Sequence, residues 1–187
     1  MNQRTIVRSL TTSDGLLLAM NDSTLVWKPG DARATKCGLD GFPTVLLALR
    51  GSMGNIDTAV VGTAEGDVLV FTVPRLELIC KFRLQSGSIR AITLKDEGHL
   101  NFLVGTQHGA IWTLTDNDVE RTRLLCSIES PVTSLHLEGS NLHIRSGWIH
   151  HEFSWDGATQ GAKNIAERFP ANGFKRLDRS YVVKPLA

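Results

Sequence analysis

Short apolar runs broken by polar turns recur along this chain, and two of them nearly coincide. "AVVGTAEGDVLVFTV" starts at Ala59 and "FLVGTQHGAIWTLTD" at Phe102; Gly62-Thr63 and Gly105-Thr106 lie 43 residues apart, as do Gly66 and Gly109. Each stretch reads as β-branched and apolar residues, a turn ("AEGD", "TQHG"), then apolar residues again, which predicts a β-hairpin. Stepping back another 43 residues from Gly66 reaches Ser23, within "LLLAMNDSTLVWKPG". Stepping forward, the spacing shortens to 38 and Gly147 appears in "LHIRSGWIHHEF".

An upstream strand precedes each hairpin: "RTIVRSL", "PTVLLALRG", "SIRAITLKDEG" and "PVTSLHLEG". Downstream strands are read in "LELICKFRLQ" and "RTRLLCSIE". Four units of four short antiparallel strands result, at about 3–41, 43–85, 86–129 and 130–160, followed by a C-terminal extension at 161–187. Repeats of roughly 40–45 residues with several strands each are the pattern of propeller blades, which bury their faces against their neighbours. A β-sandwich with a chance spacing match is the competing reading.

These units resemble the blades of WD40-like and quinoprotein-like β-propellers. "EGDVLVF" and "HGAIWTL" look like that family's turn glycine and third strand, and "SWDGATQG" from Ser154 like its Trp-Asp, loop, Thr-x-Gly ending. The resemblance implies an all-β, four-bladed propeller-like chain. Propellers of this kind usually close with six to eight blades. Closure is therefore expected as a compact four-bladed ring, a homodimer forming an eight-bladed ring, or docking on another protein. The homodimer is preferred, because one self-complementary arrangement satisfies it twice.

Composition adds limits rather than chemistry. The 187 residues are 42% hydrophobic and 21% charged, with a net charge of +1, so no basic patch marks a nucleic-acid protein. Six basic and two acidic residues make 161–187 a +4 segment, leaving −3 before it. Within it "AKNIAERF" reads as a turn or two of helix and "RSYVVK" as a last strand. Cys37, Cys80 and Cys126 are widely spaced, which suggests free thiols in a reducing, cytoplasmic setting. The start has no apolar run of signal-peptide length, and no stretch has the length of a membrane span.

No GxSxG, HExxH, P-loop or CxxC pattern is present, and no cofactor is implied. His136, His143 and His150 fall seven residues apart on consecutive strands. With two-residue turns at 139–140 and 146–147 they would form one row across a sheet, a possible Zn²⁺ or Cu²⁺ site for a metal-assisted hydrolase. Ser134, Glu138, Asn141, Arg145 and Glu152 share that parity, so a polar outer face is the preferred reading of the row. Trp27 and Trp112 are expected in the core, Trp148 or Trp155 nearer the surface. The leading expectation is a non-catalytic protein–protein interaction scaffold. Its contact surface would be the turns that carry Glu65, Asp67, Gln107, His108, Arg145 and Trp148.

Overall fold

Every described segment of regular structure is a strand, and the strands form four antiparallel sheets. The structure, a computed structural model, describes residues 3–96, 100–115, 122–139, 141–155, 174–176 and 181–182. Among the described residues there is no helix and no closed barrel. The chain divides into two compact units, Met1–Ile89 and Arg90–Ala187.

In the first unit, one sheet is β1 (Ile6–Thr11), β2 (Gly15–Met20), β3 (Thr24–Pro29) and β4 (Thr35–Gly38), paired in sequence order. The second is β5 (Pro43–Arg50), β6 (Ile56–Thr63), β7 (Asp67–Thr72) and β8 (Leu78–Arg83), again in order. Leu17, Ala19, Leu25 and Trp27 of the first sheet pack with Ala59, Val61, Leu69 and Phe71 of the second. Each of the Leu, Val and Phe side chains among them, fully buried, contributes on the order of 1.5–3 kcal/mol. Asp14, in the β1–β2 turn, accepts a hydrogen bond from the Ile56 N–H at 2.7 Å and so ties the two sheets at one end.

In the second unit, β9 (Ile89–Asp96, which begins at the division), β10 (Asn101–Thr106), β11 (Ala110–Thr115) and β12 (Arg123–Ser127) make the third sheet. The fourth is β13 (Ser134–Glu138), β14 (Asn141–Ser146) and β15 (Ile149–Trp155). Its outer edge is supplied by β16 (Phe174–Arg176) and β17 (Tyr181–Val182), both paired with β15. The segment read as an extension thus returns two strands to the last sheet; the helical reading of "AKNIAERF" lies outside the described residues. Leu103, Ile111 and Leu125 meet Leu135, Leu142, Ile144 and Phe153 in one core. Gly105 is required here: a Cβ would sit 2.4 Å from a Val132 methyl.

The 43-residue echo has a backbone cause. In three sheets the second and third strands are joined by three residues, the last in the left-handed region: Ser23 (φ 57°), Gly66 (φ 89°) and Gly109 (φ 81°). That is the three-residue hairpin loop with its αL position. The N–H of each donates to the carbonyl three residues back, of Met20, Thr63 and Thr106, at 3.1–3.3 Å. The carbonyl of each accepts from the chain after the outer strand, the N–H of Leu39, Leu84 and Ile128, at 2.7–3.0 Å. Buried Thr63 and Thr106 also accept, through Oγ1, the N–H of Asp67 and Ala110.

Candidate functional site

The fourth hairpin breaks this rule. Only Gly147 and Trp148 separate β14 from β15, with Gly147 at φ 57° and Trp148 not in the positive-φ region. A positive φ at the first central position alone is the type II′ pattern, which wants glycine there. The turn therefore sits at 147–148, one residue later than the sequence suggested, and the register moves with it. His143 stands opposite Glu152, and His150 opposite Arg145. His136 does stand opposite His143, with Glu138 opposite Asn141. The expected row holds for two histidines and steps by two residues at the third.

The three imidazoles nevertheless stay together on one face. The His136 and His143 ring centroids are 6.2 Å apart, and those of His143 and His150 are 5.2 Å apart with planes 16° from parallel. His143 Nδ1 lies 3.1 Å from His150 Nε2. The other His143 nitrogen, Nε2, lies 3.8 Å from Glu138 Oε2. Glu152 Oε1 accepts a hydrogen bond from Asn141 Nδ2 at 3.2 Å. Burial alternates along β13 and β14, with Leu135, Leu142 and Ile144 inward and Ser134, His136, Glu138 and Arg145 exposed. This is a sheet with one polar face. Among the described residues no three His, Cys, Asp or Glu side chains are grouped to hold a metal ion.

The residues expected at the contact surface fare differently from one another. Gln107 and His108 are exposed at the β10–β11 turn, and Arg145 is exposed on β14. Trp148 is 58% exposed at its turn, beside Ile149 at 40%. Glu65 is exposed, yet its carboxylate is engaged by the Phe42 N–H at 2.9 Å. Asp67 is not a free surface charge. It is 2% exposed and paired with Lys81 Nζ at 2.8 Å and Arg83 Nε at 3.1 Å. Lys81 also bridges to Asp40, whose hydrogen bond from Lys81 holds its carboxyl below the usual carboxylate range. Hydrogen bonds to Asp40 and Asp67 in turn raise the Lys81 ammonium above the ordinary lysine value.

A further surface lies on the first sheet, as the apolar runs "GLLLAM" and "TLVW" lead one to expect. On the first sheet, Leu16, Leu18 and Val26 share the face turned away from the second sheet, and all three are only half-buried. Exposed Lys28 and Lys36 stand opposite Leu16 and Val26 on that face. The signal was present in "GLLLAM", apolar at both parities, but nothing local says which face meets the neighbouring sheet. Burial pushes the Cys126 and Cys37 thiols up. No helix among the described residues is long and apolar enough to cross a membrane.

No protein-family model and no curated protein matches the chain. Among solved structures, the computationally designed Ika8 protein is similar over 96% of this chain and 49% of its own, with a TM-score of 0.66 and 13% identity. The computationally designed Ika4 protein is similar over 79% of this chain and 88% of its own, with a TM-score of 0.64 and 15% identity. At such identities the likeness is one of fold alone. The chain spans about half the length of the Ika8 protein.

Proposed function

We propose that this chain is a non-catalytic protein–protein interaction scaffold whose four sheets act as propeller-like blades completed by a second copy of itself. The observation that carries this reading is the outward face of the first sheet. Leu16, Leu18 and Val26 are half-buried there, apart from the core that the first unit builds on its other side. Apolar surface left in water costs on the order of 25 cal/mol per Å², and contiguous apolar faces on soluble chains usually mark contacts.

Charge favours a second copy as the occupant. Lys28 and Lys36 frame the apolar face of the first sheet, while Glu138 and Glu152 lie on the open face of the fourth. A sheet-one to sheet-four contact made twice is closed by two-fold symmetry. The match of nearly the whole chain to half of the Ika8 protein fits the same reading, since that fold continues beyond what one copy of this chain supplies. Other partners would meet the turn bearing Gln107 and His108 and the hairpin bearing Arg145 and Trp148, since exposed Trp and Arg have the character of a binding hot spot.

The experiment for the scaffold role is affinity capture from native cells with wild-type chain and with the Arg145→Glu, Trp148→Ala double variant. The expected result is a stoichiometric partner held by the wild type and lost by a variant whose circular dichroism is unchanged. Hydrolase activity in the wild type, with no stoichiometric partner, would overturn the proposal.

A further inference from the structure

We propose that the open face of the fourth sheet binds a divalent first-row transition-metal ion through His143 Nδ1 and His150 Nε2. The two nitrogens are already neighbours, 3.1 Å apart, on strands whose inward residues Leu142, Ile144 and Phe153 are packed in the core. At a metal–imidazole distance of about 2.0–2.1 Å, nitrogens separated by 3.1 Å subtend roughly 95–100° at a shared ion. That is the angle of two adjacent ligands in a tetragonal or octahedral site. Imidazole pairs in such geometry suit Cu²⁺ and Ni²⁺ first, with Zn²⁺ requiring a wider angle. With planes only 16° from parallel, the rings turn about the Cβ–Cγ bond to aim their lone pairs at the ion. The partial exposure of both side chains leaves room for that turn.

A second feature points the same way. A ligating histidine needs its other nitrogen protonated, usually toward a carboxylate that orients the ring. His143 Nε2 faces Glu138 Oε2 at 3.8 Å, which favours the tautomer with the lone pair on Nδ1. Glu138 is therefore a positioning residue, not a ligand. His136, opposite His143 with a centroid separation of 6.2 Å, is the next imidazole in reach, and water fills the other positions. Arg145, opposite His150, is a like charge on this face and limits affinity. The site needs only residues of one chain, but the sheet-one to sheet-four contact proposed above would cover this face, so the titration is made on the Leu18→Asp chain as well as on the wild type.

The test is a calorimetric titration of the full chain with NiCl₂ and, separately, CuCl₂ at pH 7.5. One ion per chain is expected, bound more tightly as Cu²⁺. His143→Gln and His150→Gln should each weaken binding at least tenfold, and Glu138→Gln about tenfold through loss of orientation. His151→Ala, whose side chain is on the opposite face, should leave affinity unchanged. Absence of binding up to millimolar ion, or affinity that survives His143→Gln in a folded chain, overturns the proposal.

Discussion

The second and fourth sheets share a strand order but not a physical character. In the second, β6 and β7 are buried at almost every position: Val60, Val68 and Val70 on one face, Ala59, Val61 and Leu69 on the other. In the fourth, burial alternates, and the outward positions are His, Glu, Asn and Arg. Strands apolar at both parities are those covered on both sides, and alternating strands those with one side in water. Whether a sheet is covered on one side or on two is thus written in its parity. The first sheet is the instructive intermediate, with an apolar residue at both parities and only one face packed within its unit.

The largest effect that tests this contrast is a charge placed at matched positions. Val70→Asp should destabilise by more than about 4 kcal/mol, because an unpaired carboxylate would be buried. His136→Asp, on the open face of the fourth sheet, should stay within about 0.5 kcal/mol. Denaturant titration of both variants checks the pair, and equal losses would refute the contrast.

The hairpin turns give the next comparison. At Gly109 a Cβ would lie 1.9 Å from the Ile128 carbonyl oxygen, whereas at Gly147 it meets nothing within 4 Å. Gly109→Ala should therefore cost about 3 kcal/mol or more, a backbone clash added to left-handed strain. Gly147→Ala should cost only the strain of its positive φ, about 1–2 kcal/mol. Thermal melts separate the two.

Acid should weaken the first unit through its paired carboxylates. The Ile56 N–H, then the Ser13 hydroxyl, lower the Asp14 pKa, and Lys81 lowers that of Asp40. A carboxyl whose folded pKa is depressed stabilises the fold above its unfolded value of about 3.9 and loses that contribution as pH falls through the folded value. Protection of the Ile56 amide, taken relative to the intrinsic exchange rate at each pH, should fall below about pH 4 and be independent of pH near neutrality. Asp14→Asn should remove most of that acid dependence.

The smallest effect is at Ser23, which occupies with φ 57° the position that Gly66 and Gly109 fill elsewhere. Ser23→Gly should stabilise by about 0.5–1 kcal/mol, since glycine reaches that conformation without a Cβ penalty.

Much of the fold was legible because its cause is local. A Thr-x-x-Gly turn closes its own hydrogen bonds within five residues, so its recurrence at 43 residues survives into the structure, and the offset alone led to Ser23. The His row was half legible. Nothing in "RSGW" says whether Gly147 takes the first or second turn position, and that choice moves His150 by two residues against β14. Burial of Asp67 was not legible, because its partners Lys81 and Arg83 lie on a separate strand whose register no local signal sets. The last strand was legible in "RSYVVK", whose Tyr181–Val182 pair with β15, whereas β16 depends on distant pairing alone.

Light scattering at micromolar concentration tests the central claim, that a second copy covers the open face of the first sheet. The account predicts twice the 20.5 kDa chain mass for the wild type, and 20.5 kDa for a folded Leu18→Asp variant. A wild-type chain that remains at 20.5 kDa would contradict it.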